Sequence, residues 1–453
     1  MRRVAALLAL LMAAACTGGG NEGAAPSPSP EQPGEIVVVS GRDVTGKNGI
    51  RQQLIDEWNA RQERAGSGYS ARLVELPGSA DEQRSQLLGA LQSGGAAYDV
   101  VNLDVTWVPE FAEAGLIRPL DEDLVDGDVI GSVARTAWWD DRLYAVPFNS
   151  DVGLLYYRRD HLEQARVERT DLRRSDWDQL RRLIDHVHDH RPEGYEKGWT
   201  TQLDAYEGRT VNAVEAFTSA VPGLRLTDED GRYSADADEL APGIAELRRR
   251  TDDLYTLPDA HGSDEARSLN DFAAGRTTFL RQWPYAYRTL HQTFDPRQLG
   301  VAPLPGRAVL GGQNLAVTDV SHRPRMAADL IRFLTGEESE RCLLDAGFAA
   351  TRTSAYEDPG LRCPLGAGSP SASPTGESTD RMPREARTGR PAYARSVLLP
   401  ALREAVLRPR TPLYGAFTQT FTAQLGALFA DDPPGDSELA ERLDDALRRA
   451  LGD

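Results

Sequence analysis

Aromatic rings beside carboxylates recur at the ends of apolar runs in this 453-residue chain. Trp107 follows Asp104, Tyr206 precedes Glu207, and Trp283 precedes Pro284 and Tyr285. A sugar offers apolar C–H faces that stack on such rings, and hydroxyls that seek carboxylate, amide and guanidinium partners. A concave site with aromatic walls and a few charged anchors therefore suits a saccharide. Any one of these tryptophans is as readily a core residue; their convergence carries the reading. Catalysis finds less support, because the sequence holds no G-x-S-x-G elbow, no P-loop and no H-E-x-x-H. With 69 carboxylates a chance Asp/Glu pair is expected, and no spacing selects one for glycoside hydrolysis. His186 and His190, at i and i+4, would share a helix face and could hold a metal. Their neighbours Asp185, His188, Asp189 and Arg191 read instead as a solvated helix end. Neither a metal nor a cofactor is expected.

The elements that must position these residues follow from periodicity. Glu35–Ser40 (EIVVVS) is a β-branched run that reads as a first strand. Ile50, Leu54, Ile55 and Trp58 recur at helical spacing, and Arg72–Leu76 alternates as a strand. Asp81–Leu91 reads as a helix burying Leu87, Leu88 and Leu91, and Asp99–Leu103 as the next strand. Strand, helix, strand, helix, strand predicts a parallel, doubly wound sheet, whose ligands bind at the carboxyl ends of the strands. Ser40–Thr45, with Asp43, and Asp104–Trp107 then become rim residues. Ala145–Asp160 (AVPFNSDVGLLYYRRD) joins turn residues to a short apolar run. That combination predicts a bend where the chain leaves one lobe for another, with Asp151 at its mouth. Farther on, Trp177–His190 reads as a helix, Val301–Gly306 as a loop, and Leu310–Thr318 as a glycine-rich turn into a strand. Pro284 must interrupt or start an element, and Ala327, Leu330, Ile331 and Leu334 mark an amphipathic helix. Gly360–Ala394 is polar and reads as a disordered insertion, after which helical patterning resumes.

Composition sets the surroundings. A formal charge of −18 argues against nucleic acid, whose phosphates need a basic footprint. At the start, Arg2 and Arg3 precede the apolar run Val4–Met12, which is too short to span a bilayer. Residues 1–15 therefore read as a signal peptide. Ala13-Ala14-Ala15-Cys16 resembles a bacterial lipobox, in which Cys16 would carry lipid. Residues 16–34 read as a flexible tether, placing the folded part on the extracellular face of the cell membrane. The other two cysteines, Cys342 and Cys363, are candidates for one disulfide in an exported protein.

Five segments together resemble the extracellular solute-binding lipoproteins of ABC importers, in the carbohydrate cluster of maltose- and trehalose-type binders. They are Tyr98–Asp121 (YDVVNLDVTWVPEFAEAGLIRPLD), the Ala145–Asp160 crossover, Ala205–Phe217 (AYEGRTVNAVEAF), Phe279–Tyr287 (FLRQWPYAY), and LGGQNLAVTDVSHRPRMAADLIRFLT with Arg408–Tyr414 (RPRTPLY). The resemblance implies a two-lobed α/β fold of the periplasmic-binding-protein type (type II), with hinge crossovers between lobes that close on a sugar. Lobe 1 would comprise residues 35–147 and 306–348, and lobe 2 residues 148–305 and 349–453. It also implies no catalysis, and delivery of the sugar to an ABC permease by a monomer. Asp104, Trp107, Asp151, Tyr206, Glu207 and Trp283 match positions at or near the sugar in the family. Arg408 is a weaker match, and Asp43 has only a loose counterpart. Where relatives often carry a stacking Trp after the double glycine, this chain has Gln313. That exchange removes a platform of order 1 kcal/mol and keeps a non-sugar solute, such as a peptide or polyamine, in view.

Overall fold

The computed structural model describes residues 31–42, 49–94, 98–167, 171–365 and 380–452. Asp43 and Cys16 lie outside them, as do the signal and most of the tether.

Two sheets organise the chain from Pro33 onward. In the first, β1 (Glu35–Gly41) runs parallel to β2 (Ser70–Leu76) and to β3 (Val100–Asp104). Helices Ile50–Ala65 and Ala80–Gln92 make the crossovers. The first buries Ile50, Leu54, Ile55 and Trp58. The second begins at a capping box in which Ser79 and Glu82 satisfy each other's backbone donors. Helices cover both faces, which is why β1 is almost uninterruptedly apolar. Beyond β3 the sheet turns mixed rather than staying parallel. Two later strands complete it: β6 (Val146–Val152) and β11 (Leu310–Val317), which lies antiparallel to both β3 and β6. The strand order is β2-β1-β3-β11-β6. Between them in sequence sits a small hairpin, β4 (Trp138–Trp139) with β5 (Arg142–Leu143).

The second sheet holds β7 (Leu154–Arg158), β8 (Lys197–Thr200), β9 (Thr277–Gln282) and β10 (Leu299–Pro303), in the order β10-β7-β9-β8. The chain passes between sheets at Gly153 and again at residues 304–309, and isolated bridges tie Ser150 to Ala349 and Val309 to Val406 beside these crossings. Crossings this short are what a hinge requires.

Four expectations need correction. The turn-type residues 147–151 form no bend but lie in strand β6; the crossover is Gly153, two residues after Asp151. Val301–Gly306 begins as strand β10, not as a loop. Its Pro303 is tolerated because β10 is an edge strand and the proline is its last residue. Leu310–Thr318 is strand from Leu310, with no preceding turn. The double glycine serves close approach instead: Gly312 has φ +117, and a Cβ there would lie 2.4 Å from the Asn149 carbonyl oxygen. Finally, the polar insertion is packed after residue 380. Met382, Arg390 and Tyr393 are buried, and Arg384 bridges Pro391. Residues 366–379 lie outside the described residues. Cys342 and Cys363 are disulfide-bonded.

Candidate ligand-binding site

The carboxyl ends of β1 and β3 meet β6 and β11 around one guanidinium. Arg51, 5% exposed at the start of the first helix, donates to Ser40 Oγ and the Gly41 carbonyl, both at 3.0 Å. It also reaches Asn149 Oδ1 at 3.3 Å and Gln313 Oε1 at 2.8 Å. Asn102 donates to the same two acceptors, Ser40 Oγ at 2.9 Å and Gln313 Oε1 at 2.8 Å. The carbonyl end of Gln313 is thus fully engaged inside its lobe. Its amide end makes no hydrogen bond among the described residues, which leaves two N–H donors at the rim.

The opposite wall is Trp283, half-buried, at the end of β9. The Arg281 guanidinium lies 3.8 Å from the ring and covers one face. The indole N–H points to Glu265 Oε1 at 3.4 Å, and the Tyr206 hydroxyl donates to Glu265 Oε2 at 2.8 Å. Burial, and then the Glu265 carboxylate, hold the Tyr206 phenol well above its ordinary range. Glu265 therefore orients both aromatic members.

Asp151 stands between the walls. On β6 it pairs with Gly311 of β11, and a Cβ built on Gly311 would lie 3.1 Å from both Asp151 Cβ and Trp283 Cζ3. Gly311 therefore approaches the Asp151 side chain and the Trp283 ring from the same strand. Among the described residues it makes no hydrogen bond and no ion pair. Burial pushes its pKa up to about 7, aided by Asp104, while Arg51, Arg281 and Arg408 pull the other way.

A third group closes the floor. Arg408, 4% exposed, bridges Glu207 Oε1 at 2.6 Å and Asp104 Oδ1 at 2.8 Å. Glu207 opens the helix Glu207–Ala220 and also accepts from the Tyr414 hydroxyl and from Thr418 Oγ1 at 2.9 Å. Burial raises its pKa despite Arg408. Asp104 Oδ1 in addition takes the Thr106 N–H at 2.9 Å and its hydroxyl at 2.8 Å. This is a strut from the first sheet's rim to a helix beside the second.

Among the described residues the Asp151 carboxylate and the Gln313 amide nitrogen make no hydrogen bond, and Trp283 is half-buried with Arg281 on its ring. Residues 59–362 match the family described as bacterial extracellular solute-binding protein. The chain belongs to that family. It is the solute-binding component of an ABC import system and not an enzyme, and its family places it outside the cytoplasm. This solute-binding protein is 27% identical over 310 residues to a probable ABC transporter-binding protein of Deinococcus radiodurans. That match covers 64% of this chain and 71% of the relative. Among solved structures it is similar to maltose-bound MalE3 of T. maritima, at TM-score 0.73 and 23% identity, covering 92% of this chain and all of that one. It is also similar to the GacH receptor of Streptomyces glaucescens, solved unliganded and with acarbose, at TM-score 0.70 and 21% identity, covering 93% and 100%. These likenesses agree with the two-lobed fold.

Of the residues singled out in the sequence, the solute-binding protein gathers Asp104, Asp151, Tyr206, Glu207, Trp283, Gln313 and Arg408 into one neighbourhood. Trp107 is different: it is 6% exposed within a core cluster that also holds Val108 and Phe111. Glu207 and Arg408 are engaged with each other rather than open to a ligand. Arg51, Arg281, Glu215 and Glu265 escaped notice. A signal existed for two of them: Glu215 in VNAVEAF and Arg281 in TTFLRQW are charges inside apolar runs, where burial forces a partner. A separate groove of about 820 Å³, lined by Trp138, Trp139, Leu226, Arg307 and Arg410, shares Arg408 but contains neither Asp151 nor Trp283. Among the described residues no group of three metal-ligating side chains is present, and no helix is long and apolar enough to cross a membrane.

Proposed function

We propose that this protein captures a neutral saccharide, such as a maltose- or trehalose-type disaccharide, between its lobes and hands it to a membrane permease. The observation that carries the reading is Asp151: a half-buried carboxylate with no hydrogen bond or ion pair among the described residues, opposite the glycine that also approaches the half-buried Trp283 ring. A sugar ring stacked on Trp283 would place its hydroxyls on Asp151 and on the Gln313 amide. The free permease-facing protein would alternate between open and closed lobes, with ligand contacts from both walls favouring closure. With the crossover at Gly153, lobe 1 is taken as residues 35–152 with 306–348 and lobe 2 as residues 153–305 with 349–453, acting as a monomer.

A thermal-shift panel of neutral mono- and disaccharides, polyamines and short peptides tests this. Ligand at 100 times its dissociation constant adds about 2.7 kcal/mol, a visible rise in melting temperature. A shift with a neutral saccharide supports the proposal, and shifts confined to the other classes refute it. One observation favours polyamines as the second reading: an unpartnered carboxylate also suits an ammonium group.

Gly311→Ala is expected to lower saccharide affinity at least tenfold at unchanged fold. Its methyl would stand 3.1 Å from both Asp151 and Trp283, where the ligand's edge must pass. Equal affinities in calorimetry would remove the ligand from that corner. For the membrane link, Cys16→Ala should move the protein from the membrane fraction to the soluble one; a variant still retained there with its leader cleaved would exclude a lipid anchor.

A further inference from the structure

Beneath Trp283 lies an ion pair that no ligand reaches. Arg281 and Glu215 are each 1% exposed, on β9 and on the Glu207–Ala220 helix. Arg281 Nη2 donates to Glu215 Oε1 at 2.8 Å, and Nε to Oε2 at 3.2 Å. Residues i and i+2 of an extended chain share a side, so the guanidinium comes up under the ring of Trp283 at 3.8 Å. A cation on the indole face holds the ring in place and leaves only the other face for stacking.

Both crossovers converge on the same pair. Glu215 Oε1 also accepts the backbone N–H of Val309, at 3.1 Å, in the segment between β10 and β11. At the other crossover, a Cβ on Gly153 would stand 2.3 Å from Glu215 Oε1 and 3.0 Å from Arg281 Nη2. The Gly153 N–H in turn reaches the Val309 carbonyl at 3.4 Å. Glycine is thus the residue that lets the crossover backbone lie directly on the carboxylate. Stability alone is a poor reason for such a pair, since apolar residues of similar volume often serve a core as well or better. Its position, between a ligand-facing ring and the two segments about which lobes turn, is the better reason.

We propose that Glu215 and Arg281 are positioning residues that set the Trp283 ring and couple its orientation to the crossovers at Gly153 and Val309. The inference rests on Trp283 being the ligand platform. A shift of either crossover would move Glu215, hence Arg281, hence the ring; stacking on the ring would be felt at the crossovers in the same way.

Fluorine NMR of the full-length protein carrying 5-fluorotryptophan tests it, the Trp283 signal being assigned by its loss in Trp283→Phe. Gly153→Ala, which does not touch the ring, is expected to displace the Trp283 signal and leave those of the other tryptophans in place. Arg281→Met is expected to displace and broaden it, with maltose affinity falling about tenfold. Glu215→Gln keeps the shape and the hydrogen-bonding oxygen without the charge, and provides the same reading if Gly153→Ala does not fold. An unmoved Trp283 signal in folded Gly153→Ala and Glu215→Gln, with only melting temperatures lowered, would reduce the pair to a structural role and overturn the proposal. Maltose and trehalose titrations of the unsubstituted protein report separately on the platform. If neither sugar moves the Trp283 signal while Gly153→Ala does, the positioning stands and the reading of Trp283 as a platform for these sugars falls.

Discussion

Replacing Arg408 with Met is expected to destabilise the protein by about 3–5 kcal/mol, the cost of leaving a buried charge without its partner. Glu207 is 8% exposed and would keep only the Tyr414 and Thr418 hydroxyls. Asp104, half-buried, would keep Thr106. Burial already holds the Glu207 pKa above its ordinary 4.5, and Arg408 is the leading force against that rise. Removing it lifts the folded-state pKa further above the unfolded value. The folded variant then binds more protons than the unfolded chain, so stability increases as pH falls through that window. Denaturant unfolding at pH 8 and pH 5 checks both parts. The variant should lose most at pH 8 and recover part of the loss at pH 5, and Glu207→Gln in the same chain should restore stability. A loss below 1 kcal/mol, or a loss independent of pH, would mean that the strut is solvated in solution.

Saccharide affinity is expected to fall about 50-fold between pH 7 and pH 5, through Asp151. With a pKa pushed up to about 7, the carboxylate is about half ionised at pH 7 and about one-hundredth ionised at pH 5, so the form that accepts hydroxyl donors is largely lost. The charges that face it are Arg51, Arg281 and Arg408, which favour ionisation, and Asp104, which opposes it. The ligand-free protein should move the other way. Its folded-state value lies above the unfolded 3.8, so the folded form holds the extra proton between the two, and stability rises as pH falls from 7 towards 4. Asp151→Asn should bind more weakly at pH 7 and lose the pH dependence. Titration calorimetry across pH 5–8 with both proteins decides it. A flat profile for the unsubstituted protein would place Asp151 outside the ligand contacts.

Much of this site was readable before the fold was known, for a physical reason. Asp104, Asp151, Trp283 and Gln313 sit near strand ends or next to glycine and proline, and Tyr206 sits at a helix start, where sequence patterning marks a rim. The partners that fix them sit elsewhere. Arg51 looks like the polar face of an amphipathic helix, and its role depends on β11 arriving 262 positions later. Glu265 lies in the exposed-looking first turn of a helix, and only the return of β9 brings Trp283 to it. Trp107 is buried where the sequence suggests a rim. Beside a rim aspartate it looks like a ligand contact, but the packing of the helix that follows draws it into the core. Strand patterning also hides direction. Nothing in LGGQNLAVT says that β11 enters antiparallel between β3 and β6, which is what carries Gly311 to Asp151. The insertion is partly misread because Met382 and Tyr393 are too sparse to show a period, yet both are buried.

The central claim is that a neutral saccharide lies on Trp283 against Asp151. Calorimetric titration of the protein and of Trp283→Ala at pH 8, with the saccharide that raises the melting temperature most, tests it directly. One ligand per chain is expected, with a loss of roughly 1–3 kcal/mol in the variant from stacking and apolar contact. Equal affinity in the two proteins, or heat only with polyamines or peptides, would contradict it.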